Sequence, residues 1–460
     1  MRAIVDSVIR LPRLPPKAAE LLWRGLTFPN PEYANRVRFE RWTGATPEEI
    51  CLVEPDGGGG WQVPRGAVDL VREALAAVGE PVTFEDRRRV LPSLGLEVHL
   101  ELRDYQERAA AALVRSVQGC SVAPCGGGKT VIGAAAIART GQPALVLVHT
   151  RDLVDQWCTA VRQMLGVEPG VIAEGGGAPA DVTIATIQTL AALEDAALDE
   201  LGRRFGAVLI DEAHHVPAVT FRRLLAHLPA RYRFGLTATP ERADGLTRLL
   251  DLCIGPTVFR IHHEELVRAG HLVIPQVEPL LTGCAPEAAS HARLVAELSR
   301  DVARNRLIVD LAAREATAGR SVLVLAGRVD HCERLAAQLR EANVRAEALT
   351  GRVARARRTA ILDRFRNGDL QVVCATTLAD EGLDVSRLER LILATPARAE
   401  GRTIQRLGRL MRPHPGKETP VLVDLVDDAP LARRQFAARK RAYRTVLGSD
   451  AFAILPPRGG

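Results

Sequence analysis

VAPCGGGKTVIGAAAIA, residues 122–138, is the stretch that decides the fold. Val122 closes an apolar segment, a glycine-rich turn follows, and a helix-forming run begins at Thr130. A turn placed between a strand and a helix suits phosphate. Gly126, Gly127 and Gly128 let consecutive backbone N–H groups face inward, with a helix N-terminus behind them. Ala123, Pro124 and Cys125 complete the loop. Lys129 would set a compact charge on the β- and γ-phosphates, and Thr130 would offer its hydroxyl to Mg²⁺.

Three further stretches have chemistry that needs this loop. IDEAHH (Ile210–His215) ends a hydrophobic segment, and a carboxylate at the end of a parallel strand projects into the crevice where such sheets bind ligands. Asp211 is the candidate for holding Mg²⁺, and Glu212 for orienting and deprotonating water. His214 reads equally as a helix start or as a coupling residue. LTATP (Leu236–Pro240) follows closely. QRLGRLMR (Gln405–Arg412) spaces Arg406, Arg409 and Arg412 three apart, on neighbouring helical positions. An arginine reaching a γ-phosphate stabilises transition-state charge. Ahead of the loop, LRDYQ (Leu102–Gln106) supplies a glutamine amide that can pair with adenine, with Arg103 or Tyr105 packing on the ring. The order of these stretches predicts hydrolysis of ATP with Mg²⁺.

Bulk properties narrow the setting. The chain has 460 residues, 47% hydrophobic and 25% charged, with a net charge of +6. That length predicts several domains. The basic excess is compatible with a polyanion. The eight cysteines show no CxxC pair, so neither zinc nor a disulfide framework is indicated, and a reducing cytoplasm is expected. No run is long and apolar enough for a membrane span, and no secretory signal is expected.

From residue 99 onward, short apolar runs alternate with helical stretches. LVLVHT (Leu145–Thr150), VTIAT (Val182–Thr186), AVLIDE (Ala207–Glu212) and FGLTAT (Phe234–Thr239) read as strands buried on both faces of a parallel sheet. SVLVLA (Ser321–Ala326), AEALT (Ala346–Thr350), QVVCAT (Gln371–Thr376), RLILAT (Arg390–Thr395) and PVLVDLV (Pro420–Val426) repeat the pattern. The expected fold is α/β, with two tandem parallel-sheet lobes and a small N-terminal α+β domain. Expected boundaries are 1–98 for the accessory domain, 99–272 and 273–430 for the lobes joined near Ile274–Pro286, and 431–460 for a basic helical tail. Residues 1–98 hold three of the four tryptophans (Trp23, Trp42, Trp61).

Together these stretches, with TTLADEGLD (Thr376–Asp384), resemble the superfamily 2 helicases and translocases, which implies that the two tandem parallel-sheet lobes are RecA-like. GLTATPERADGL and HTRDLVDQW are most similar to the XPB-like and type III restriction-subunit-like branch. Where XPB-type enzymes carry an Arg-Glu-Asp triplet, this chain has Arg242-Ala243-Asp244. The resemblance implies catalytic roles for Lys129, Asp211, Glu212, Gln405, Arg409 and Arg412, and nucleotide contacts from Gly382 and Asp384. It implies nucleic-acid contacts at Thr150, Arg151, Thr186, Gln188, Thr350, Gly351, Thr376 and Thr377. The implied partner is DNA, single-stranded or forked, favoured over RNA by the resemblance alone. A protein partner such as a nuclease and a DNA-engaging role for residues 1–98 are further expectations. Two other readings stand beside a helicase: a double-stranded DNA translocase that does not unwind, and an ATP-gated binding subunit of a repair or defence assembly.

Overall fold

Five apolar positions in a row leave a strand no solvent face, and such runs form the centres of two parallel sheets. In the computed structural model all residues are described except 39, 41, 125, 175, 214–217, 239–246, 289, 377–384, 397–405 and 448–460. The chain divides into two compact units: Met1–Ala123 with Gly128–Ile261, and Pro124–Gly127 with His262–Gly460.

The first unit opens with seven short strands: β1 (Arg2–Val5), β2 (Ile9–Leu11), β3 (Thr27–Pro29), β4 (Glu49–Cys51), β5 (Glu54–Pro55), β6 (Trp61–Val63) and β7 (Thr83–Asp86). They make a mixed sheet ordered β5-β6-β2-β1-β7 and a β3–β4 pair. Next come β8 (Gln118–Val122), β9 (Ala144–Val148), β10 (Gly170–Ile172), β11 (Val182–Thr186), β12 (Ala207–Asp211), β13 (Tyr232–Thr237) and β14 (Thr257–Arg260). These form one sheet, ordered β10-β11-β9-β12-β13-β8-β14, with every pairing parallel.

The composition changes near residue 98, but the core does not break there. Ala3, Ile9, Leu22 and Val71 belong to the same apolar cluster as Cys120, Val208, Leu249 and Ile254. Two buried arginines fasten the segments together. Arg65 donates to Gln118 Oε1 at 3.1 Å and to the carbonyl oxygens of Ala230 and Arg231 at 2.6 and 2.8 Å. Arg233 donates to the carbonyl of Ser7 at 3.0 Å and that of Cys253 at 2.9 Å. Burial lowers the pKa of both, that of Arg233 to about 10. Both donate to neutral carbonyl and amide oxygens: Arg65, on the N-terminal segment, is solvated by dipoles from beyond residue 98, and Arg233 reaches back to the Ser7 carbonyl. Gly66 adds a close approach, because a Cβ there would stand 2.2 Å from the Asp251 carbonyl oxygen.

The second unit holds β15 (Gln276–Leu281), β16 (Val322–Ala326), β17 (Ala346–Leu349), β18 (Val372–Thr376), β19 (Arg390–Leu393) and β20 (Val421–Val426). They form a parallel sheet ordered β15-β20-β19-β16-β18-β17. The stretch expected to join the lobes thus contains a strand. Its Glu278 and Pro279 hid it from the apolar pattern, and Pro is tolerated there because β15 is an edge. The basic C-terminal stretch forms the helix Pro430–Leu447, and its Arg439 is buried. Arg439 makes two 2.8 Å bonds to Asp424 of β20, and the buried Tyr443 hydroxyl donates to the same carboxylate at 2.7 Å. The helix is therefore anchored to the sheet, with Arg433, Arg434, Arg441 and Arg444 exposed.

Arg65→Met keeps the buried stem but leaves the Ala230 and Arg231 carbonyls unpaired, which is expected to cost about 2–4 kcal/mol. Arg2→Met, on an exposed side chain, should cost less than about 0.5 kcal/mol. Urea unfolding of both variants checks this, and equal effects would mean that the arginine staple does not hold residues 1–98 in place.

Candidate nucleotide site and nucleic-acid face

The parallel register brings the candidate groups of the first unit to one edge. Asp211 lies opposite Leu236, and Thr237 opposite Val122, so the ends of β12, β13 and β8 are level. The loop leaves β8, and Gly128 caps the helix Lys129–Thr140 with φ of 72°. Glycine is required there twice over, since a Cβ would also come within 2.4 Å of Gln106 Nε2. Gln106 is buried, and its Oε1 accepts from the Arg103 N–H at 3.0 Å. Arg103 Nη1 and Gln106 Nε2 each reach the Tyr105 hydroxyl at 3.4 Å. Gln106 of the pentapeptide thus packs directly against Gly128 at the start of the helix.

Lys129 Nζ stands 3.1 Å from Glu212 Oε1, and both side chains are largely buried. Glu212 turns back from the strand end in the left-handed region, φ 48°, which is rare for a residue with a side chain and concentrates at functional sites. Asp211 is buried, accepting from the Trp157 indole N–H at 2.8 Å and from the Glu212 N–H at 2.9 Å. Burial raises its pKa first, and the neighbouring Glu212 charge raises it further; Lys129 and the indole N–H act the other way. Thr130 Oγ1 accepts from Gln156 Nε2 at 3.1 Å.

Among the described residues no group of three His, Cys, Asp or Glu could hold a metal on its own. One hydroxyl and one carboxylate nevertheless suit Mg²⁺, which keeps several waters and takes its other oxygens from phosphates. Thr130 and Asp211 are the oxygen donors that fit it.

A second group gathers at the ends of β9 and β11, where Thr186 lies opposite Val148. Thr150 caps the helix Arg151–Leu165, accepting from the Leu153 N–H at 3.4 Å, and Arg151 is exposed. Gln188 Nε2 donates to the His149 carbonyl at 3.1 Å. Thr150, Arg151, Thr186 and Gln188 are thereby collected at one place.

In the second unit Leu349 pairs with Ala375, placing Thr350 and Thr376 side by side at the sheet edge, both buried, with Gly351 exposed. The basic strip forms the helix Arg355–Asn367, and several of its arginines are neutralised. Arg364 and Arg357 reach Glu347 at 3.1 and 3.5 Å, and Arg366 reaches Asp363 at 2.8 Å. Residues 406–410 are helical, with Arg406 buried and Arg409 and Arg412 half-buried. Equal spacing thus conceals a division: Arg406 belongs to the core, while Arg409 and Arg412 keep access to solvent. Cys125, His214, the Arg242-Ala243-Asp244 triplet, Thr377, Gly382, Asp384 and Gln405 lie outside the described residues.

Trp157, Gln156 and Lys417 are the positions that reading the sequence missed. Lys417 Nζ donates to the carbonyls of Arg412, Leu410 and Ser386 at 2.7, 2.8 and 3.0 Å, closing the C-terminal end of the arginine helix. Burial brings its pKa to about 8, opposed by Glu389 and assisted by Arg412. A lysine just beyond a helix end is a recognisable cap for the last carbonyls, and that was the available signal.

Residues 99–242 match the family described as Type III restriction enzyme, res subunit, and residues 303–414 match the Helicase conserved C-terminal domain. The chain is similar to the DNA 3'-5' helicase XPB of Kineococcus radiotolerans, at 30% identity over 78% of this chain and 67% of that one. It is similar to the DNA 3'-5' translocase XPB2 of Sulfurisphaera tokodaii, at 28% identity over 70% of this chain and 81% of the relative. In structure it resembles Saccharomyces cerevisiae Dbp5 bound to RNA and ADP BeF3, with a TM-score of 0.56 at 18% identity over 76% of this chain and 88% of that one. That likeness is one of fold, and the parallel sheets are RecA-like lobes.

Lys417 is an ammonium below its pKa of about 8 and loses that charge as pH rises through 8. Turnover of ATP is expected to decline over the same window, and Lys417→Arg, which stays charged, should remove the decline. Lys417→Met at neutral pH should slow turnover by about tenfold through misplacement of the arginine segment. A pH profile of hydrolysis that is the same for all three proteins would mean that the cap plays no part.

Proposed function

The chain belongs to the XPB-like branch of the superfamily 2 helicases, ATP-dependent DNA helicases and translocases, and from that premise we propose that it moves 3′ to 5′ along one strand of DNA. The observation that carries the reading is the constellation at one sheet edge: Lys129 on Glu212, and a buried Asp211 beside them. The direction and the DNA preference rest on what the relatives are named for.

In this reading phosphate oxygens compete with Glu212 for the Lys129 ammonium. A carboxylate released from its ion pair is free to orient water and accept its proton. Asp211 and Thr130 would hold Mg²⁺, which when bound would neutralise phosphate charge. The Asp211 orientation is fixed by Trp157, so the carboxylate presents one oxygen consistently. Arg409 and Arg412 supply charge for the transition state. Thr150, Arg151, Thr186 and Gln188, with Thr350, Gly351 and Thr376, grip the phosphate backbone, which fixes position without reading bases. Movement without strand separation is a second reading, favoured by the name of the Sulfurisphaera relative.

Glu212→Gln is expected to bind ATP but turn it over at least about a hundredfold more slowly, whereas Lys129→Ala should lose nucleotide affinity as well. Arg409→Ala and Arg412→Ala should slow turnover by a similar factor with affinity preserved. Steady-state hydrolysis with single-stranded DNA, duplex, fork and RNA in parallel, at fixed salt, tests the substrate assignment. Stimulation by RNA above DNA, or near-normal turnover by Glu212→Gln, sinks the proposal. Strand displacement on a 3′-tailed fork decides between unwinding and translocation alone.

A further inference from the structure

The helix Arg151–Leu165 touches the nucleic-acid face at one end and both candidate magnesium donors within two turns. Thr150 and Arg151 stand at its start, and Gln188 is tied to the carbonyl of His149 just before it. Gln156 donates to the Thr130 hydroxyl at 3.1 Å, and Trp157 donates to the Asp211 carboxylate at 2.8 Å. At 1.5 Å of rise per residue, these contacts lie only about 10 Å from the helix start.

The indole cannot adjust independently of its neighbours. Trp157 is fully buried, and a Cβ at Gly133 would stand 2.7 Å from its Cη2. The same Cβ would meet Leu209 and Leu236 at 2.8 and 2.9 Å. The ring is therefore wedged between the phosphate-loop helix and the strands that lead to Asp211 and Thr237. A fully packed element of this kind passes on a displacement rather than absorbing it.

We propose that the helix Arg151–Leu165 couples nucleic-acid occupancy to the nucleotide site, with Gln156 and Trp157 as the positioning residues that orient the Thr130 hydroxyl and the Asp211 carboxylate. Phosphate held at Thr150 and Arg151 fixes the helix start, and the two side chains carry that constraint to the oxygens that hold Mg²⁺. The inference rests on the nucleotide and nucleic-acid assignments above. Coupling between two sites is reciprocal, so nucleotide must strengthen nucleic-acid binding by the same factor that nucleic acid strengthens nucleotide binding. The effect is thus readable without turnover.

The test measures binding of labelled single-stranded DNA to the full chain, with and without Mg²⁺ and a non-hydrolysable ATP analogue. Gln156 is exposed, so Gln156→Ala removes a donor without disturbing packing. Trp157→Phe keeps an aromatic ring and removes the indole N–H. In each variant the ratio of DNA affinities with and without nucleotide is expected to shrink by about fivefold or more. The Mg²⁺ concentration for half-maximal hydrolysis should rise with it, a readout that loss of packing alone would not move. Wild-type ratios in both variants overturn the inference while leaving the proposed function standing. So does a fall confined to Trp157→Phe and accompanied by a lowered melting temperature. A wild-type chain that binds neither DNA nor nucleotide removes the proposed function, and this inference with it.

Discussion

A carboxylate at the end of a fully buried strand must find donors within the protein, and the first unit is arranged around meeting that need at Asp211. Leaving such a group without partners would cost several kcal/mol and would force it to protonate. Two N–H groups meet the need, one from the Trp157 indole and one from Glu212's own backbone. The indole reaches Asp211 only because position 133 has no side chain. The Glu212 carboxylate reaches Lys129 from a residue in the left-handed region. A glycine in a helix and a left-handed glutamate are each unfavourable locally. Both are explained by one requirement, an ionisable oxygen kept in place away from water.

Much of this was legible in the sequence because parallel strands buried on both faces leave an unmistakable run of apolar residues. Ala144–Val148, Ala207–Asp211 and Val322–Ala326 announced themselves in that way, as did the glycine-rich turn before Lys129. Edge strands escape the rule, and β15, with Glu278 and Pro279, was read as a joint between the lobes. Partner-dependent roles were also hidden. Nothing at position 157 distinguishes a tryptophan that packs from one that donates to a carboxylate 54 residues away. Near residue 98 the composition shifts while one apolar cluster continues across the shift, a continuity that residue types do not reveal.

Arginine is the clearest case of one residue type with several physical roles. In the sequence Arg65, Arg233, Arg406 and Arg439 are indistinguishable from the solvated arginines around them. In the fold all four are buried. Arg439 faces a carboxylate, while Arg65 and Arg233 each donate across the join, Arg65 to the Ala230 and Arg231 carbonyls and Arg233 to that of Ser7. A buried cation on one segment held by dipoles of the other resists their separation, because parting them strands both the charge and its acceptors. Counting positive charge along the C-terminal stretch therefore overstates what is available to a polyanion.

In the proposed reading the two sheets would offer phosphate the same chemistry at corresponding strand ends. Thr186 ends β11 and Thr150 lies just beyond the neighbouring β9 in one, and Thr376 ends β18 and Thr350 lies just beyond the neighbouring β17 in the other. Hydroxyls and backbone amides at strand ends suit phosphate oxygens and carry no information about bases. A motor must release and regrip at every sequence it meets, and a grip of this kind does not vary with base composition. Base-specific contacts would create sites of unequal depth along the track, and each deep site would be a pause. Preference for one nucleic acid or for a branched structure must then come from surfaces outside these four threonines.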